Sequence, residues 1–305
     1  MQSRRKFIQA MWKGGLLLGV NQFPFHFFDR GEVTKLTILH TNDVHSRVDP
    51  FPMDGSRNEG LGGVVRRAKL IDSIRNEEEN VLLLDSGDIF QGTPYFNFFG
   101  GEIEMKCMTE MSYDVATMGN HDFDAGIDGF IKQLQHADFP FVMSNYQVQD
   151  TALSEHLVDY VIKEIGGIQV GIFGLGIELE GLVPVTLSKG VIYQDPITQA
   201  QRVANRLKYE EKCDVVICLS HLGYSYREDK VSDVVLAKET DNIDLILGGH
   251  THTFLKEMQT KKNKRGEAVF INQVGYGGIL LGRIDLYFEN NNKAKCQTCK
   301  NLFVK

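Results

Sequence analysis

The chain has 305 residues, 42% of them hydrophobic, which suits one large α/β domain with a substantial core, although two ordinary domains would also fit. Its 33 basic and 40 acidic residues leave a formal charge of −7. That balance argues against a duplex nucleic-acid binder, since proteins that track phosphate backbones carry a basic face.

At the amino end, Ser3-Arg4-Arg5-Lys6-Phe7-Ile8 precedes a short apolar stretch from Gly14 to Val20, the order of a secretory signal. It resembles a twin-arginine export signal, which implies a periplasmic or cell-envelope protein exported already folded. Residues 1–30 are therefore expected to be an export signal and its linker. Lys13 interrupts the apolar run and no A-x-A cleavage site is visible, so a plain basic extension is the alternative. The run is too short for a transmembrane helix, and no stable membrane span is expected.

From Thr34 onward, short β-branched runs alternate with amphipathic stretches, the pattern of strands joined by crossover helices. Strand Leu36–Leu39 leads into Asp43-Val44-His45. The following Gly60-Leu-Gly-Gly63 lacks P-loop spacing and reads as the lead-in to a helix over Gly63–Arg75. Arg66 and Arg67 then lie on that helix, on a solvated face or against the sheet, and not on substrate. Strand Val81–Leu84 runs into Asp85-Ser-Gly-Asp88; helix Glu102–Met111 follows, and strand Val115–Thr117 opens on Gly119-Asn-His-Asp-Phe-Asp124. Helix Ile127–His136, strands Phe141–Met143 and Val170–Phe173, and helix Ile197–Glu211 come next. Strand Val215–Leu219 ends at Ser220-His221-Leu-Gly223, helix Val231–Lys238 follows, and strand Leu245–Leu247 ends at Gly248-Gly-His250-Thr-His252.

Ala268–Gln273 and Leu280–Phe288, separated by Tyr276-Gly-Gly278, read as an antiparallel pair, with residues 291–305 as a polar tail. The domain proper is thus expected over 34–290. Five cysteines, Cys107, Cys213, Cys218, Cys296 and Cys299, are too few and scattered for a disulfide framework. Cys296-Gln-Thr-Cys299 is a lone CxxC, read as a thiol pair or local disulfide of the tail.

Asp43, His45, Asp88, Asn120, His221 and His250 all fall just past the carboxyl end of a predicted strand, where the loops of α/β sheets assemble ligand sites. Carboxylate, imidazole and amide oxygen are hard or borderline donors, and no thiolate is among them. The set suits a pair of divalent metals and excludes a structural zinc finger. Such a pair needs a carboxylate that bridges both ions, and Asp88 is the candidate because Gly87 lets the backbone turn sharply. A lone histidine at a strand end is more often structural than a ligand; five such segments in one order weigh against chance. His26, His40, His136 and His156 match no ligand position and read as structural or surface residues. Asp85 either supports the ligands or is simply a strand-end polar residue.

These segments resemble the calcineurin-like metallophosphoesterase superfamily, whose pattern is D-x-H, G-D, G-N-H-[DE], H and G-H-x-H. Leu39-His-Thr-Asn-Asp-Val-His45, Gly87-Asp-Ile-Phe-Gln-Gly-Thr-Pro94 and Gly119-Asn-His-Asp-Phe-Asp-Ala-Gly126 are similar to its bacterial 5′-nucleotidase branch. The resemblance implies a four-layer α/β/β/α sandwich of mixed sheets flanked by helices. It puts Asp43, His45, Asp88 and His252 on one divalent metal and Asp88, Asn120, His221 and His250 on the second, with zinc or manganese favoured over iron or cobalt. His121 would be the catalytic histidine, oriented by Asp124, and Asn120 and His121 would contact substrate.

The implied reaction is release of phosphate from nucleotides by cation-activated water, with no covalent enzyme intermediate. Bound cations would let an acidic protein take an anionic substrate. Other members of the branch act on 2′,3′-cyclic nucleotides or thiosulfate esters, and an inactive binding domain is a remote alternative. Members usually continue into a second domain that stacks the base and supplies arginines for the phosphate. This sequence stops at Lys305, so the expectation is either a separate chain resembling that domain or a domain working alone with looser specificity.

Overall fold

A computed structural model describes residues 33–289 and 294–305, with the backbone alone over 294–297, so the expected export signal and His26 lie outside the described residues. In chain order the elements are β1 (Thr34–Thr41), α1 (Val64–Glu77), β2 (Val81–Asp85), α2 (Pro94–Phe99), α3 (Glu102–Glu110), β3 (Val115–Ala116) and α4 (Gly126–Leu134). There follow β4 (Phe141–Val142), β5 (Tyr146–Gln147), β6 (Leu157–Val158), β7 (Tyr160–Ile165), β8 (Ile168–Leu175), β9 (Ile192–Tyr193) and α5 (Pro196–Asn205). The last are β10 (Val215–Ser220), α6 (Asp233–Glu239), β11 (Leu245–Gly248), β12 (Gln259–Lys262), β13 (Ala268–Asn272), β14 (Leu280–Phe288) and β15 (Ala294–Phe303).

The central strands read as unbroken apolar runs because both of their faces are covered. Side chains alternate across a strand, so Leu36, Ile38, Leu82 and Leu84 point one way and Leu39 and Leu83 the other. The first set meets Ile172, Ile217, Leu219 and Leu247 of a second sheet, forming the core between the sheets. Leu39 and Leu83 pack outward on Ile71, Met105 and Phe130 of α1, α3 and α4. On the far side, Val216, Cys218 and Ile246 pack on Ala200 and Val203 of α5 and on Leu236 of α6. The result is the four-layer α/β/β/α sandwich. Each fully buried Leu, Ile or Val contributes about 1.5–3 kcal/mol relative to exposure.

One sheet has seven strands in the order β15-β14-β1-β2-β3-β4-β6, the other six in the order β12-β13-β11-β10-β8-β7. Strands β1 to β4 run parallel, as do β8, β10, β11 and β13. The carboxyl ends of β1, β2 and β3 therefore share one edge of the first sheet, and those of β10 and β11 one edge of the second.

Several expectations need correction. Ala268–Asn272 and Leu280–Phe288 are not partners: β13 lies between β11 and β12, whereas β14 pairs with β1 and β15. The connection between them crosses from one sheet to the other, with Gly275, Gly277 and Gly278 all at positive φ. Its Gly277 N–H donates to the Asp43 carbonyl at 2.7 Å, which fixes the turn at the site instead of closing a hairpin.

Within the expected tail, Ala294–Phe303 form β15, the edge strand of the seven-stranded sheet. Asn301 donates to the Leu255 carbonyl and Gly62 N–H donates to Val304, so the segment is tied into the domain. Cys299 is a free thiol, and the side chain of Cys296 lies outside the described residues. The helix expected over Ile197–Glu211 stops at Asn205 and continues as a π-turn, Arg206–Glu210. Gly60, Gly62 and Gly63 do lead into α1, all at positive φ, with Arg66 exposed and Arg67 buried.

Candidate metal centre

Five of the seven expected ligand residues hold positive φ: Asp43 at 50°, His45 at 52°, Asp88 at 56°, His250 at 68° and His252 at 51°. Such backbone is uncommon for residues with a Cβ and clusters at functional sites. Gly87, at φ 86°, precedes Asp88 where the two parallel-strand loops touch; a Cβ there would lie 2.4 Å from the Gly119 nitrogen. The G-D and G-N-H glycines are thus steric requirements of two loops in contact.

The donor atoms converge into two groups that share one carboxylate. Asp43, His45, Asp88 and His252 form one, and Asp88, His221 and His250 the other, with the ligand atoms of each within 4.8 Å of one another. Asp88 Oδ2 lies 3.1 Å from His221 Nε2 and 3.8 Å from His45 Nε2. Asn120 Oδ1 is 2.9 Å from His250 Nδ1, which joins the amide to the second group. The structure therefore brings together all seven expected positions.

The geometry fits cations. His221 Nδ1–H donates to the Ser86 carbonyl at 2.6 Å, which turns Nε2 into the site, where it can give up its proton and offer a lone pair to a cation. That buried Nε2 has no hydrogen-bond partner. His45 and His252 face each other with their Nε2 atoms 2.9 Å apart, and His252 Nε2 is 3.4 Å from Asp43 Oδ1. Two imidazole lone pairs beside carboxylates are the surroundings a divalent ion relieves.

Charge within the cluster is strongly coupled. Burial alone would raise the Asp88 carboxyl, but His221, then His45 and His121, hold it well below the usual carboxylate range. Burial alone would lower His221, yet Asp88, Asp43 and the Ser86 carbonyl lift it to about 10. Burial followed by His221 pushes His250 down to about 4. A proton on His221 thus stands where a cation would, and metal uptake should release it.

His121 lies beside the two groups on a 3-10 turn, His121–Phe123, with its ring 5.3 Å from that of His45. Its Nδ1 meets Asp124 Oδ2 at 2.8 Å. Burial lowers its basicity, but Asp88 and then Asp124 outweigh that and favour the protonated ring. The His121 backbone N–H also donates to Asp88 Oδ1 at 2.8 Å.

Sequence reasoning missed the residues that brace these loops. Asp122 accepts four backbone N–H groups, from Asp88, Ile89, Phe90 and Gly119, at 2.8–3.1 Å. Burial and the Asp88 charge lift its carboxyl to about 7 against those donors. Asn42 donates to Asp43 Oδ2 and to the Gly275 carbonyl and accepts from Val274 N–H. The acidic position of the G-N-H-[DE] pattern, Asp122 here, was the available signal; which loop it would brace was not readable. Asp85 proves to be a support, accepting from Thr41 Oγ1 at 2.6 Å and from Gly87 N–H at 2.9 Å. Of the other histidines, His40 is fully buried and His156 exposed, and neither joins the site.

The groups open onto a cleft of about 300 Å³ lined by His45, His121 and His252 and by Arg47, Phe51 and Tyr276. A larger cavity, about 500 Å³, lies at the amino ends of β10 and β11 and holds none of the candidate ligands.

Comparison with known proteins places this geometry. The family model for calcineurin-like phosphoesterases matches residues 36–254. A snake venom 5′-nucleotidase of Crotalus adamanteus is 37% identical over 230 residues, covering 72% of this chain and 37% of that protein. The trifunctional nucleotide phosphoesterase protein YfkN of Bacillus subtilis is 30% identical over 298 residues, 87% of this chain and 19% of its own length. A 5′-nucleotidase precursor from Thermus thermophilus superposes with a TM-score of 0.81 at 29% identity, covering 88% of this chain and 54% of that one. The chain thus spans little more than a third of the venom protein and about half of the Thermus chain.

Proposed function

Because this chain belongs to the calcineurin-like phosphoesterase family, we propose that it is a metal-dependent phosphomonoester hydrolase of the 5′-nucleotidase type, releasing phosphate from nucleotides. The observation that carries this reading is Asp88, a single carboxylate shared by both donor groups and set beside the His121–Asp124 pair. Asp43, His45, Asp88 and His252 would hold one divalent ion, and Asp88, Asn120, His221 and His250 the other. Zinc or manganese suits these donors best, with iron or cobalt also compatible.

When bound, the metal pair draws charge from the phosphoryl oxygens and lowers the pKa of water. His121 supplies a donor to the same oxygens. Asp124 takes its Nδ1–H and fixes the tautomer, so the protonated ring presents Nε2–H to charge that builds in the transition state. The Asn120 amide, with its oxygen turned to the second group, keeps its NH₂ for substrate.

Export by the twin-arginine route to the periplasm or cell envelope is part of the same proposal. It is supported by Arg4-Arg5 ahead of the apolar run, a segment outside the described residues. Among the described residues no helix is long and apolar enough to cross a membrane. A domain resembling the remaining length of the relatives, on a partner chain for instance, would complete the cleft, where the side chains of His121 and His252 are 40% and 41% exposed.

The test is a substrate screen on the manganese-loaded chain with AMP, UMP, 2′,3′-cyclic nucleotides, sugar nucleotides and p-nitrophenyl phosphate, with and without such a partner. Release of phosphate from nucleoside monophosphates is expected. Cleavage of cyclic diesters with monophosphates untouched overturns the nucleotidase reading, and inactivity on every ester leaves only a binding domain.

A further inference from the structure

Of the described residues that line the cleft, Arg47 alone carries a permanent positive charge. Its guanidinium lies 4.2 Å from the centroid of the Phe51 ring, and its side chain has no hydrogen-bond or ion-pair partner among the described residues. Arg202, Arg265 and Arg283, by contrast, each pair with an aspartate, Asp159, Asp241 and Asp285. Phe51 meets Tyr276 edge-on at 6.1 Å between centroids, and Tyr276 stacks on the His252 imidazole at 5.1 Å and 19°. His252, Tyr276, Phe51 and Arg47 therefore form one wall, running outward from the candidate ligands to an unpaired cation.

A half-buried guanidinium braced on an aromatic face is a preorganised fork for phosphate oxygens. The phosphoryl group undergoing hydrolysis is already served by the donor clusters and His121, and in the chain of contacts that leads from His252 to Arg47 the rings of Tyr276 and Phe51 intervene. We propose that Arg47 binds a second phosphate, carried on the leaving group, so that this domain itself selects doubly anionic substrates. The inference rests on the phosphoesterase reading above. The second phosphate can adjoin the first, as in a nucleoside diphosphate, or sit elsewhere on the nucleoside, as in a 3′,5′-bisphosphate.

The test compares kcat and KM of the manganese-loaded parent, Arg47→Ala and Arg47→Lys on p-nitrophenyl phosphate, AMP, ADP and adenosine 3′,5′-bisphosphate. For Arg47→Ala, kcat/KM on at least one doubly phosphorylated nucleotide should fall about tenfold relative to AMP, through KM, the scale of one lost charge-assisted hydrogen bond. Arg47→Lys should restore part of that ratio. A loss confined to ADP identifies the adjoining phosphate, and one confined to the bisphosphate the distant one. An equal loss on all four substrates, or no change in the ratios, overturns the proposal.

Should the parent hydrolyse no ester, the phosphoesterase reading fails by itself, and calorimetric titration with the same nucleotides still decides. Weaker binding of ADP or the bisphosphate by Arg47→Ala supports the subsite; equal binding by parent and variant overturns it. Arg47→Lys carries both comparisons if Arg47→Ala does not fold.

Discussion

His121 and Asp122 are neighbours in sequence, yet one faces the cleft and the other faces the loops beneath it. In the proposed reading, replacing His121 by Ala removes a donor to the phosphoryl group and no metal donor. We expect kcat to fall by about 10²–10³ with metal content intact, and a variant as active as the parent would remove His121 from the chemistry. Asp122→Ala strips acceptors from four backbone N–H groups in a fully buried site. Each buried N–H left without a partner costs about 1–3 kcal/mol, part of which relaxation recovers. Calorimetry should show the melting temperature of Asp122→Ala reduced by roughly 5 °C or more; melting together with the parent would contradict the bracing role. The convergence of the candidate ligand residues was legible in the sequence because their donor chemistry is written in residue type and order. Asp122 was not, because its partners are main-chain groups of another loop, which have no residue type to read.

At the level of elements, the central strands were legible because burial on both faces writes an unbroken apolar run. Edge strands write no such signal. β12 and β15 are polar sequences, Gln-Thr-Lys-Lys and Ala-Lys-Cys-Gln-Thr-Cys-Lys-Asn-Leu-Phe, that pair along one side only, and neither was recognised. The loop between β13 and β14 looked like a hairpin turn since its glycines are the same residues a hairpin would use.

One buried residue of β1 makes the stability of these layers pH-dependent. His40 is fully buried, accepts from the Asn272 amide, and is pushed by burial down to about 3. The unfolded chain, with an ordinary histidine near 6.5, binds the proton more readily over that interval. The His40 contribution to stability should therefore be lost as pH drops from about 6.5 toward about 3, and it should be constant above 6.5. Between about pH 7.5 and pH 5, denaturant unfolding should show the parent losing about 2 kcal/mol relative to His40→Gln, since buried carboxyls such as Asp122 titrate alike in both proteins. Equal losses in both proteins would exclude His40 as the cause.

Over the whole molecule, the candidate metal centre lies where the two sheets meet. Asp43, His45, Asp88 and Asn120 follow strands of the seven-stranded sheet, and His221, His250 and His252 follow strands of the six-stranded one. Ser86 Oγ, which donates to the Leu247 carbonyl, and His221, which donates to Ser86, stitch the same seam. Strand periodicity alone did not foretell two sheets; the four-layer expectation came with the resemblance. Both donor groups share the single Asp88 carboxylate, so metal content per chain by inductively coupled plasma mass spectrometry is the direct test. After manganese reconstitution and gel filtration, the parent should carry two ions per chain and Asp88→Asn fewer than one, because both groups lose the same donor. An Asp88→Asn protein that keeps two ions, or a parent that takes up only one or none, would contradict the account.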